Sequence, residues 1–201
     1  VEADSEGPVS GPEPLLLPVS AVVPTRNRAE ILRDTLESLS LQSAQPKELI
    51  VIDASDGDLT ARVCEHPPET LASTLLYHRA EVPGAARQRN QGVALASEKT
   101  LFFFDDDVLF EPECVARLWA ALERDQDLGG VNGMLTNQKY EPPGRASRWL
   151  FRLLSDKPLS SYAGRCLGPG LNVLPEDRVD LPEVVPVEWL NTTSTLYRRS
   201  L

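Results

Sequence analysis

Three consecutive carboxylates, Asp105, Asp106 and Asp107, close an apolar run that begins at Thr100 and passes through Leu101, Phe102, Phe103 and Phe104. A short apolar run bounded by polar residues suits a strand covered on both faces. In open α/β sheets, ligands gather where such strands end. Adjacent carboxylates repel one another, and a hard divalent cation that takes oxygen ligands relieves that repulsion directly. Side chains alternate along an extended segment, so Asp105 and Asp107 are expected to point one way and Asp106 the other. The pair, rather than the triplet, is therefore the candidate ligand set. The competing reading is a solvated acidic turn that simply ends a strand.

Further acids and bases fall at similar places. Leu49-Ile50-Val51-Ile52 is a second buried run that ends at Asp53, with Ser55, Asp56, Gly57 and Asp58 in the turn beyond it. After Val19 to Val23 come Pro24, Thr25, Arg26, Asn27 and Arg28. Asn27 followed by Glu30 has the spacing of a helix N-cap with its reciprocal acid. Arg26 and Arg28 carry the wrong sign for a helix start, a misfit that favours an anionic ligand there. In the Ala-rich segment from Ala85 to Ala96, Arg87 and Asn90 share a helical face while Arg89 lies on another. Gly92 costs that helix about 1 kcal/mol relative to Ala, which close packing against a sheet would explain. His66 and His78 have no partner at metal-ligand spacing.

The elements that position these residues alternate as strand and helix, the pattern of a parallel sheet with crossover helices. Strands are expected at Val19 to Val23, Leu49 to Ile52, Leu75 to His78 and Thr100 to Phe104. Helices are expected at Ile31 to Leu39, up to Val63 and Cys64, at Ala85 to Ala96, and around Val115 to Leu122. A short strand falls between Gly129 and Met134 and a short helix around Trp149 to Leu154, while Gly168 to Leu174 reads as loop. Order returns from Val187 to Arg199. The fold class is α/β, a mostly parallel Rossmann-like sheet with helices on both faces, whose strand ends at Pro24, Asp53 and Asp105 share one edge. Residues 1–18, rich in Pro, Gly, Ser and acids, read as a disordered leader or linker, and 19–201 as one domain.

Composition narrows the partners. The 201 residues carry 20 basic and 30 acidic side chains, a formal charge of -10, which argues against nucleic acid as the main partner. The three cysteines are dispersed without a CxxC pair, so neither a zinc site nor a disulfide framework is indicated and a reducing, cytoplasmic setting fits. No run reaches the length of a membrane span.

Read in order, these parts resemble the nucleotide-diphospho-sugar transferases of glycosyltransferase family 2, which have the GT-A fold. The resemblance rests on Val22 to Arg28 after the first strand, on Ile50 to Asp53, on Arg89 to Gly92, and on Asp105 to Asp107 in the DxD position. It also takes in the closing segment from Glu188 to Arg199. It implies a metal-assisted, inverting transfer of a sugar from a nucleotide-diphosphate sugar to the hydroxyl of a glycan, lipid or small-molecule acceptor. It implies a donor site of Pro24, Thr25, Arg26, Asp53, Ser55, Arg87, Asn90, Asp105 and Asp106. Asp105 and Asp107 would engage Mg²⁺ or Mn²⁺.

Two departures accompany the resemblance. Ala54 follows Asp53 where many relatives carry a second acid or Asn, and the family's general base lies beyond the segment that ends here. No catalytic residue is therefore assigned, Glu176-Asp177 is not given that role, and the domain is expected to be incomplete at its C-terminal end. Peripheral contact with the inner face of a membrane is expected through other parts of the protein. The alternatives are a noncatalytic nucleotide-sugar-binding domain and a haloacid-dehalogenase-like phosphatase. The latter would need a downstream lysine such as Lys139 or Lys157 and a late acidic pair.

Overall fold

The computed structural model describes residues 13–137, 144–154, 164–167, 171–172 and 183–200. Its centre is a sheet built from β1 (Leu15–Thr25), β2 (Ala44–Asp53), β3 (Thr74–Arg79), β4 (Thr100–Phe104), β5 (Gly130–Asn132) and β8 (Ser194–Arg198). The strand order is β3-β2-β1-β4-β8-β5. β1 to β4 pair in parallel, and β8 runs antiparallel to both β4 and β5. The helices are α1 (Ala29–Ser40), α2 (Leu59–Glu65), α3 (Ala85–Leu95), α4 (Cys114–Arg124) and α5 (Arg145–Leu154). A two-residue pair, β6 (Cys166–Leu167) with β7 (Leu171–Asn172), forms a separate antiparallel ribbon.

Period-two alternation along β1 sorts the core into two layers. Leu17, Val19, Ala21 and Val23 pack with α1, α4 and Val63 of α2, where Leu32, Leu36, Leu118 and Leu122 are buried. Val22 points to the other face with Ile50, Ile52, Leu101 and Val93 of α3. The sheet is therefore covered on both faces, which is why β2 and β4 read as continuous apolar runs.

Several boundaries move. β1 begins at Leu15, inside the segment read as a leader, because Leu17 is buried and Leu15 to Leu17 pair with β2. Pro18, which cannot donate to the ladder, falls where the register shifts between Leu17 and Ser20. The expected loop from Gly168 to Leu174 contains a strand at Leu171–Asn172. Its other residues, like Lys139, Lys157 and Glu176-Asp177, lie outside the described residues.

Asn27 is not the cap of α1. Arg28 occupies that position without a side-chain cap, and Asn27 sits in the left-handed region at φ 56°. Asn tolerates that conformation because its short amide bonds locally. Here the Asn27 amide donates to Asp56 Oδ2 at 2.9 Å, and its Oδ1 accepts the Asp56 N–H at 3.0 Å. The two turns that follow β1 and β2 are thereby tied together.

Candidate functional site

Parallel register brings the strand ends together. Thr25 of β1 pairs with Asp53 of β2, and Asp53 with Arg79 of β3. Gln88 of α3, fully buried, locks this edge: its Nε2 donates to the carbonyls of Thr25 at 2.9 Å and Ile52 at 2.8 Å. What allows α3 so near is Gly92, one helical turn on. A Cβ there would lie 2.3 Å from Val22 Cγ1.

This packing decides which side chains of α3 reach the site. With Gln88 and Gly92 against the sheet, Arg89 is carried toward the end of β4, where its Nη2 donates to Asp105 Oδ1. Arg87 and Asn90 instead lie exposed, and neither lines the carboxylate cleft. Arg89 does lie on a different face from Arg87 and Asn90, as expected, but it is that face, and not the one of Arg87 and Asn90, that meets the acids. The spacing held the clue, because a glycine that packs on the sheet requires the residue four positions earlier to pack there too.

β4 stops at Phe104, and the acids occupy a turn closed by the Val108 N–H on the Asp105 carbonyl at 3.4 Å. The three carboxylates still divide. Asp106 turns inward, its side chain 5% exposed, and accepts from the Thr25 hydroxyl at 2.7 Å and from Arg28 Nη1 at 2.7 Å. Its carbonyl accepts from the Thr35 hydroxyl of α1 at 2.7 Å. Asp107, with a side chain 49% exposed, receives the same Arg28 nitrogen at 3.1 Å. Asp105 is half-buried. Burial pushes its carboxyl above the ordinary carboxylate range, Arg89 pulls it back, and the nearby Asp107 adds to the rise. Asp106 raises the pKa of Arg28 further above its already high value, so that guanidinium stays charged.

A cleft of about 330 Å³ opens at this corner. Pro24, Thr25, Arg26 and Arg28 line it from the end of β1, Ala85 and Gln88 from α3, and Asp105, Asp106 and Asp107 from the end of β4. A broader hollow of about 550 Å³ lies beyond Asp53, against Asp56, Gly57, Asp58, Ala61, Tyr77 and Arg79. Asp105, Asp106 and Asp107 all line the smaller cleft.

Asp53 is fully buried between the two. Its Oδ1 accepts the Ser55 N–H at 2.8 Å, and its Oδ2 accepts Tyr77 Oη and Arg79 Nη1, each at 2.9 Å. Ser55 in turn accepts the Asn27 N–H at 2.7 Å and meets the Thr60 hydroxyl at 3.2 Å. Asp53 and Ser55 thus act as posts of the edge, and Tyr77 and Arg79 are the groups presented to the hollow. Neither was singled out from the sequence, because their spacing in an ordinary-looking strand carries no signal.

Among the described residues no group of three or more His, Cys, Asp or Glu side chains is arranged to hold a metal ion. Two carboxylates, Asp105 and Asp107, nevertheless fit a hard cation that completes its shell from a phosphate ligand and water, as Mg²⁺ characteristically does.

A glycosyltransferase of PGL/p-HBAD biosynthesis from Mycobacterium tuberculosis (strain H37Ra) is 32% identical over 138 residues, covering 66% of this chain and 54% of that protein. Validoxylamine A glucosyltransferase from Streptomyces hygroscopicus subsp. limoneus is 33% identical over 105 residues, 51% of this chain and 23% of that protein. The chain spans about half the length of the first of these relatives.

Among solved structures, glucosyl-3-phosphoglycerate synthase from M. tuberculosis in complex with phosphoglyceric acid shares the fold. Its TM-score is 0.52 at 21% identity, over 90% of this chain and 56% of that one. A mannosyltransferase from Pyrobaculum calidifontis, in complex with GDP-Man and Mn²⁺, has a TM-score of 0.50 at 23% identity, over 58% of this chain and 35% of that one. A family comparison matches residues 20–168 to glycosyl transferase family 2. Because that match spans well over half of the 201 residues, the chain belongs to glycosyl transferase family 2.

Proposed function

We propose that the cleft at the ends of β1 and β4 binds the diphosphate of a nucleotide-sugar donor together with Mg²⁺ or Mn²⁺. We propose further that the protein transfers the sugar to an acceptor hydroxyl with inversion. The observation that carries this reading is the division of the acids: Asp106 is consumed by the fold, while Asp105 and Asp107 are left at the cleft. Between them they would hold the cation, which supplies Lewis-acid stabilisation to the departing diphosphate. Arg26, exposed on the cleft wall, contributes positive charge to the same anion, and Thr25 and Gln88 hold the wall in place. Tyr77 and Arg79, fixed by Asp53, face the hollow in which the nucleoside would lie.

Relatives and fold neighbours support the donor class. The Pyrobaculum structure contains GDP-Man and Mn²⁺, and the curated relatives are named as glycosyltransferases. A cytoplasmic setting belongs to the same reading. No helix among the described residues is long and apolar enough to cross a membrane. Peripheral contact with a membrane, through parts of the protein outside these residues, belongs to the same reading.

A thermal-shift screen of UDP, GDP, CDP and dTDP sugars, with and without Mn²⁺, tests the proposal. Stabilisation by one nucleotide that depends on Mn²⁺ is the expected result. No stabilisation by any of them would refute the donor site. Donor binding without transfer to any acceptor or to water would favour the noncatalytic alternative.

A further inference from the structure

Arg28 stands where elementary electrostatics disfavours a cation. It is the cap residue of α1, at the positive end of the helix dipole, and no side chain caps that helix. The carboxylates hold it there, since one nitrogen, Nη1, donates to both Asp106 and Asp107. The two arms of this bridge are unequal. Asp106 is buried and also held by the Thr25 hydroxyl, and its backbone by Thr35. The carboxylate of Asp107 is half-exposed, and among the described residues it receives only the longer bond from Arg28.

We propose that Arg28 is a positioning residue that couples the cation to the diphosphate: it keeps Asp106, yields Asp107 to the cation, and turns its freed donors to a phosphate oxygen. This rests on the reading of the cleft as a donor site. At the cleft, Asp106 and Asp107 are paired with Arg28 and Asp105 with Arg89, and Arg26 adds a further cation on the wall. A cation arriving alone must break the Arg28–Asp107 pair and leave a guanidinium facing it. A diphosphate arriving alone meets three carboxylates, two of which hold Arg28 through its Nη1. Arriving together, they replace one charge-assisted contact of Arg28 by another, and neither Asp107 nor Arg28 is left without a partner. Each ligand should therefore raise the affinity for the other by the same factor.

The test is calorimetric titration of wild type, Arg28→Gln and Arg28→Lys with Mn²⁺ alone, and with UDP, GDP, CDP and dTDP in the absence and presence of Mn²⁺. In wild type, Mn²⁺ is expected to raise the affinity for the preferred diphosphate about tenfold or more. In Arg28→Gln that factor should shrink about tenfold, while Mn²⁺ alone binds at least as well as to wild type because Asp107 has lost its competitor. Arg28→Lys, a single compact ammonium without the planar fork, should fall between.

An unchanged coupling factor in Arg28→Gln, or equal losses for Mn²⁺ and diphosphate, would overturn the proposal and leave Arg28 a structural residue. If thermal melts show Arg28→Gln to be unfolded, Arg28→Lys decides alone, and a wild-type coupling factor in it is equally fatal. Wild type that binds a diphosphate without regard to Mn²⁺ defeats the coupling but not the donor site. Wild type that binds no diphosphate defeats both.

Discussion

The two ends of the parallel sheet each carry buried carboxylate chemistry, and they use it differently. Where β3 and β4 begin, Glu48 accepts from the Ser20 hydroxyl and from the Ser97 N–H, and the Glu98 N–H donates to Ser20 at 2.9 Å. Lys47 closes the group on Glu98 at 2.6 Å. Each of these polar atoms is answered by a neighbour in the chain, which makes that end a clasp. At the opposite end, Asp106 is satisfied in the same way, but Asp105 and Asp107 are left half-buried or exposed with one arginine apiece. Completed networks rigidify a fold, whereas exposed charge that is only partly compensated remains available to a ligand. The difference separates acids enclosed by the fold from acids left at the cleft within one sheet.

Substitution of the buried acids should produce the largest effects. Glu48→Ala leaves the Ser20 hydroxyl and Ser97 N–H without an acceptor, and Asp106→Ala leaves the Thr25 hydroxyl and part of Arg28 unpaired. Each is expected to cost about 3 kcal/mol of stability, read as a fall of roughly 6 to 12 °C in Tm. A wild-type melting curve for Asp106→Ala would break the comparison, since it would place Asp106 with the ligand-facing acids. Asp107→Asn should do the reverse. Its Tm should stay within about 2 °C of wild type, while Mn²⁺-dependent affinity for a nucleoside diphosphate drops about tenfold or more. Asp106→Asn should lose less of that affinity, and equal losses at Asp106 and Asp107 would contradict the division of the triplet.

The smallest effect is in the pH dependence of the clasp. Burial pushes the Glu48 carboxyl up, but the hydrogen bonds from Ser20 and Ser97 outweigh it and hold the group below the usual carboxylate range. A carboxylate depressed in the folded state adds stability above its unfolded pKa, near 4.3, and loses it as pH falls through the lower folded value. Denaturant titrations should show the gap between wild type and Glu48→Gln widest near neutral pH and closing on acidification below about pH 4. A gap that widens on acidification would mean that Glu48 is protonated in the native protein.

Much of this division was legible before the fold was known. The runs at Val19 to Val23, Leu49 to Ile52 and Thr100 to Phe104 announced buried strands because both faces are covered. The alternating elements announced a parallel sheet, and Gly92 announced contact with it. The wrong-sign charge of Arg28 at a helix start, read as favouring an anionic ligand, is answered within the protein by Asp106 and Asp107. Asn27 misled because its capping spacing with Glu30 is local, whereas its bonds to Asp56 join turns that are distant in sequence.

Periodicity and turn chemistry are properties of neighbouring residues, so the sequence by itself determined which segments are strands and helices and that acids end two of them. Gly92 hinted at the face of α3 that packs on the sheet, but the sequence could not show that this rotation carries Arg89 rather than Arg87 to Asp105. That depends on Gly92 meeting Val22, a contact across the sheet. Nor could it decide that Asp53 is enclosed by Tyr77 and Arg79, or that the late strand β8 inserts between β4 and β5 in the antiparallel sense. Strand order and side-chain enclosure are set by which surfaces pack together across the fold, and that pairing is written in no single stretch of chain.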